Sequence, residues 1–149
     1  MNDKLIIRPY KKSDKKQLID LWFECELVVP WNNPELDMDR KLKVNPELFL
    51  VGFIGKELAA SVMAGYEGHR GWVNYLAVAK KYRGRGYGRE MMDVIEEKLR
   101  NMGCPKVQLQ VRNTNEAVIK YYEHLGYRDD CVVTLGKRLE KDPPFLQND

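Results

Sequence analysis

Histidine and cysteine are scarce in this 149-residue chain: two histidines, His69 and His124, and three cysteines, Cys25, Cys104 and Cys131. No CxxC pair and no Cys/His set at metal-ligand spacing exists, which excludes a zinc site read from sequence. An odd number of widely separated cysteines also argues against a disulfide framework, so all three are expected as small buried hydrophobes. No apolar run approaches the ~20 residues of a membrane span, and no signal-peptide pattern precedes the first expected strand. The expectation is a cytoplasmic protein. Charge of one sign is lacking too: 25 Lys and Arg against 22 Asp and Glu leave +3, short of the broad basic surface that nucleic-acid binding requires. There is no internal repeat, linker or low-complexity segment. A 44% hydrophobic, 32% charged composition is that of a folded globular chain, and the length suits one domain. The expected domain is 1–149, with a core over about 4–139 and a peripheral tail at 140–149.

What the chain does have is concentrated between Trp72 and Arg89. The segment begins as a strand rich in β-branched and aromatic residues and passes through Arg83-Gly84-Arg85-Gly86-Tyr87-Gly88-Arg89. It then opens a helix whose apolar positions Met91, Met92, Ile95, Leu99 and Met102 repeat at helical spacing. Alternating glycines at a helix start leave unpaired N–H groups accessible, and the helix dipole favours an anion there. Three arginines add charge at the same place. The stretch reads as a cradle for a pyrophosphate.

The remaining elements follow from period and punctuation. Lys4–Pro9 reads as a strand. Ser13 is expected to cap a helix from Asp14 to about Glu26, with Leu18, Leu21, Trp22 and Cys25 on its apolar face. An irregular Val28–Pro34 loop leads to a short helix from Pro34 to about Lys43, capped by Asn33. Leu48–Ile54 and Glu57–Tyr66 form a hairpin across Gly55-Lys56. After the long helix, Gly103 and Pro105 stop it, Lys106–Val111 is a strand, and Asn113 or Asn115 caps a last helix ended by Gly126. Tyr127 to about Arg138 is expected to supply one or two closing strands. The order is α/β, a mixed sheet with helices on its faces.

Two common phosphate motifs fail. No Gly-Lys-Ser/Thr follows the glycines, and the dinucleotide fingerprint would need its third glycine where Arg89 stands. Arg83-Gly84-Arg85-Gly86-Tyr87-Gly88 instead resembles the Q/R-x-x-G-x-G/A signature of the GNAT N-acetyltransferases, directly after the fourth strand as in that family. Asn115, Ala117, Tyr122 and Gly126-Tyr127 resemble its N-x-A…Y-x-x-x-G-[FY] pattern. Val29–Pro34 and Gly65–Gly71 look like the bacterial YpeA-type acetyltransferases.

The resemblance implies a mixed, mostly antiparallel sheet of six to seven strands with about four helices, splayed between the fourth and fifth strands. It implies acetyl-CoA as the acetyl donor and no metal. Leu76, Ala77 and Val78 would pair with the pantetheine arm, a backbone N–H near Leu76 would polarise the thioester carbonyl, and Arg83, Gly84, Arg85, Gly86, Tyr87, Gly88 and Arg89 would hold the pyrophosphate. Asn115 would bond the cofactor arm, and Tyr122 would protonate the departing thiolate. The position where ribosomal-protein acetyltransferases carry a catalytic glutamate is Gln110, which cannot accept a proton. Glu67, His69 and Tyr75 remain as bases, with Glu67 preferred. Trp31, Asn32 and Tyr66 are the acceptor-side candidates, with Trp31 equally readable as a cap on the core. The implied reaction is acetyl transfer to a primary amine of a small molecule, peptide or protein. Two alternatives are an acetyl-CoA-binding sensor and a nucleic-acid binder, the latter disfavoured by the localised charge. A homodimer is compatible with the sequence; a nucleic-acid or membrane partner is not expected.

Overall fold

The computed structural model describes residues 3–146. Five strands, β1 (Ile6–Pro9), β2 (Phe49–Ile54), β3 (Glu57–Tyr66), β4 (Gly71–Val78) and β5 (Val107–Leu109), lie side by side in chain order. The first three junctions are antiparallel and β4–β5 is parallel. That parallel step needs a crossover. Helix α3 (Tyr87–Asn101) supplies it.

The sheet is covered on both faces, and the two cores follow from the two-residue strand period. On one face Leu50, Val62 and Val73 pack against Met91, Met92, Ile95 and Leu99 of α3. On the other, Phe49, Val51 and Met63 meet Leu18 and Trp22 of α1 (Lys15–Glu24) and Met38 of α2 (Pro34–Lys41). Helix α4 (Glu116–His124) follows β5 in the chain, and its Tyr122 packs against the α3-side core. No helix among the described residues is long and apolar enough to cross a membrane.

Several expectations need correction. Ser13 sits inside a 3-10 turn at Lys12–Asp14, and α1 starts only at Lys15. Its neighbour Asp14 is buried, and its carboxylate takes two bonds from the Arg8 guanidinium (2.7 and 2.8 Å) and one from the Lys11 amide. Met102 falls after α3 and is exposed. The structure has five strands among the described residues, because residues 127–138 form none. There the Asp129 carboxylate accepts from the Cys131 amide and Cys131 adopts φ 56°, which breaks an extended run. Val132, Val133 and Leu135 are left exposed, and Cys131 is exposed rather than buried. The segment stays near β5 through Asp130, which accepts from Lys106 and Gln108.

The described part of the tail, residues 140–146, is not peripheral. Asp142 is 9% exposed and bridges Arg40 (2.7 and 2.8 Å) and Arg138 (3.0 Å). Asn33 donates to the Pro143 carbonyl, and Phe145 lies against Phe23. The tail therefore fastens α2 and the loop before it.

Candidate active site

Strand β4 carries an extra residue. Ala60 and Ser61 face Val78 and Ala77, but Met63 and Ala64 face Asn74 and Val73, so the count slips by one at Tyr75–Leu76. Such a bulge leaves one residue out of the ladder and re-aims its side chain. Tyr75 takes up the strain with φ 53°. A polar chain holds it: the Trp22 indole N–H donates to Ser61 Oγ (2.9 Å), and the Ser61 hydroxyl donates to the Tyr75 carbonyl (2.9 Å). Ser61 is 0% exposed, and the Tyr75 ring stacks on Trp22 at 3.9 Å. The Tyr75 hydroxyl donates to Asp37 Oδ2 (2.6 Å) and accepts from Asn32 Nδ2 (2.8 Å). Burial, then the Asp37 carboxylate, push this phenol far above its ordinary range, so it stays protonated.

At the C-terminal end of β4 the chain turns through Gly84 (φ 80°) and Gly86 (φ 83°) into α3. A Cβ on either glycine would meet nothing within 4 Å; the left-handed backbone, rather than crowding, calls for glycine. Gly86 is the N-cap, without a side-chain cap, and the first intrahelical bond is Glu90 N–H to the Gly86 carbonyl. The amides before Glu90 in the first turn therefore have no intrahelical acceptor. The arginines divide. Arg83 donates to the Val78 carbonyl (3.0 Å), Arg85 lies over Tyr82, and Arg89 reaches the His124 carbonyl (3.4 Å). Tyr87 is buried in the core, and its hydroxyl donates to the Asp3 carbonyl (2.6 Å). Gly88 serves packing: a Cβ there would lie 2.1 Å from the Tyr121 hydroxyl. On β4 itself Ala77 is buried, while Leu76 and Val78 are half-buried.

Between β4, β5, α4 and the 128–134 segment lies an open gap of about 1830 Å³. Tyr122 faces it, flanked edge-on by Tyr121 (5.4 Å) and Tyr127 (5.8 Å). Burial raises its phenol well above the usual value, with the neighbouring Tyr121 adding to the shift. Gln110, Tyr75, Asn32, Asp37 and Lys41 face the same gap. Asn115 caps α4: its Oδ1 accepts from the Val118 amide (3.3 Å), which leaves its NH2 to reach a ligand.

Three sequence candidates stand apart from this gap. The exposed Glu67 carboxylate accepts from the His69 and Arg70 amides of its own turn, which hold it below the usual carboxylate range. That is the opposite of what a base requires. Tyr66 donates to the Gly68 and Gly103 carbonyls, tying the β3–β4 turn to the end of α3. Trp31 is 54% exposed, under the Arg112 guanidinium at 5.0 Å, with its carbonyl bonded by Arg138. Sequence reading missed Ser61, Asp37 and Lys41. Ser61 had a signal, the one hydroxyl inside the apolar run Leu58–Ala64; the other two are ordinary charges on a polar helix.

The family model described as "Acetyltransferase (GNAT) family" matches residues 16–127. An acetyltransferase of Sodalis glossinidius is 46% identical over 140 residues, covering 93% of this chain and 99% of that one. One from Pectobacterium atrosepticum is 47% identical over 139 residues, with the same shares. In fold, an acetyltransferase from Streptococcus agalactiae superposes with TM-score 0.73 at 17% identity, covering 92% of this chain and 93% of that one. AAC(6')-Iy in complex with a CoA-S-monomethyl-acetylneamine bisubstrate analog gives 0.72 at 15%, covering 91% and 99%. The chain belongs to the GNAT acetyltransferase family, and it has that family's fold.

Proposed function

We propose that this protein transfers an acetyl group from acetyl-CoA to a primary amine by direct attack in a ternary complex. One observation carries the reading: a one-residue bulge in β4 lies upstream of a glycine turn opening α3 on the same strand, with Tyr122 across the adjoining gap. The residues fit the donor. The uncapped α3 start and the open space at Gly84 and Gly86 suit a pyrophosphate, and the Leu76–Val78 backbone suits an extended amide-rich arm. Acetyl-CoA supplies the activated thioester; the bulge amide near Leu76 polarises its carbonyl.

Tyr122 gives its proton to the departing sulfur. Burial weakens the phenol as an acid, but it destabilises a bare thiolate in the same gap as well, so transfer remains accessible. Asp37, bonded to Tyr75 and facing the gap, takes the base role that Gln110 cannot fill and Glu67 is not placed to fill. The protons balance. Asp37 passes the first ammonium proton to water, and the second, shed by the nitrogen after attack, restores Tyr122 as the C–S bond breaks.

Calorimetry with acetyl-CoA and thiol release across an amine panel test this. Tyr122→Phe is expected to lower kcat by about 10²-fold with acetyl-CoA still bound. Absence of acetyl-CoA binding overturns the reading; binding with silence across the panel points to a sensor.

A further inference from the structure

Lys41 follows Asp37 by one helical turn on α2, and both side chains face the gap. They do not pair with each other. Asp37 Oδ2 is held by Tyr75, and its Oδ1 has only a long 3.7 Å contact to Arg40. Arg40 is drawn off by Asp142, which also takes Arg138.

Lys41 lies over the sheet, its Nζ 3.6 Å from where a Gly65 Cβ would stand. It forms no ion pair among the described residues, and Glu47 acts on it only by longer-range attraction. Burial holds its pKa below the ordinary lysine value, the mark of an ammonium short of compensating anion. A half-buried lysine lining a gap and a carboxylate with one open oxygen present opposite charges one turn apart. Arg112, which lines the same gap, adds a second cation that no carboxylate pairs among the described residues.

We infer that the acetyl acceptor is an amine bearing an anionic group a few bonds away, its ammonium read by Asp37 and its anion by Lys41. This rests on the acetyl-transfer reading and names the substrate class. The anion is a carboxylate or a phosphate, which share the chemistry Lys41 recognises. A polycation such as a polyamine has no partner for Lys41 and is rejected by it.

Thiol release with matched pairs tests the inference: an amino acid against its amide, and phosphoethanolamine against ethanolamine. The anionic member of at least one pair is expected to have a kcat/KM about tenfold or more above its neutral partner, as a charge-assisted bond predicts. The pair showing the preference identifies carboxylate or phosphate. Lys41→Met is expected to collapse that preference mainly through KM, Lys41→Arg to retain most of it, and Lys43→Met, at an exposed position, to leave it intact. Equal rates within both pairs, or a preference that survives Lys41→Met, overturns the inference. Should no amine release thiol, calorimetry of the same anionic amines against the CoA-bound protein decides separately. Binding lost in Lys41→Met supports the substrate class while the catalytic reading fails. No binding, or binding indifferent to Lys41→Met, overturns it.

Discussion

The Tyr75 hydroxyl donates a 2.6 Å hydrogen bond to the Asp37 carboxylate, joining the bulge of β4 to the helix that faces it. Tyr75→Phe removes that bond and the one accepted from Asn32, while the ring keeps its stack on Trp22. Stability should fall by about 1–2 kcal/mol, since the Asn32 amide and Asp37 each lose a partner in a half-buried place. The amine KM should rise while acetyl-CoA affinity changes little, measured by steady-state kinetics and calorimetry.

Ser61→Ala orphans a buried indole N–H and the bulge carbonyl together. The expected cost is about 2–3 kcal/mol. Urea unfolding should show a lower midpoint at unchanged slope. A weaker acetyl-CoA affinity should accompany it, because the bulge loses the bond that fixes it.

Gly86 and Gly103 stand at the two ends of α3 with nearly the same left-handed backbone, φ 83° and 85°. Alanine at either should cost about 1–2 kcal/mol through strain alone. Only Gly86→Ala should weaken acetyl-CoA binding in calorimetry. Equal affinities in the two variants would remove the glycine turn from the site.

Tyr122 bears on the pH profile. Its phenol lies above the ordinary value because of burial, so its proton remains bound throughout the neutral and mildly alkaline range. The rate should show no fall assignable to Tyr122 below about pH 10, the value of a free phenol. Comparison of Tyr122→Phe with the parent protein from pH 6 to about 10 should give a constant ratio.

Asp14 contributes to acid stability. Burial raises its pKa, but the Arg8 bonds and the Lys11 amide outweigh burial and hold it below the usual carboxylate value. A depressed folded pKa contributes stability above the unfolded value, near ~3.9, and loses it as pH falls through the folded one. Urea midpoints should therefore drop below about pH 4, and Asp14→Asn should flatten that part of the curve while lowering stability at pH 7.

Much of this protein was legible locally. The Glu57–Tyr66 strand, the Asn33 cap on Pro34, the 3.6-residue spacing of Met91 to Leu99 and the glycine turn each express a preference of a few adjacent residues, and each stands where the sequence puts it. Residues 127–138 read as strand by composition, yet a strand exists only where a neighbour completes its ladder, and Cys131 turns the segment away. The β4 bulge is likewise invisible from β4 alone. It is a mismatch of count between two strands, fixed by Ser61 and by a tryptophan on α1.

Period, punctuation and the glycine signature, then, determined the order of elements, the two-sided sheet and the glycine turn that opens α3, because these depend on backbone preference and alternating burial over short spans. Tertiary structure decided which charges were spent and which stayed free. Glu67 is consumed by its own turn, and Arg40 is consumed by Asp142, a hundred residues away in the chain. Asp37 gives one oxygen to Tyr75 and keeps the other for the gap, and Lys41 faces the same gap with no ion pair among the described residues. Pairing between charges depends on distance in space, and only the folded chain sets that distance.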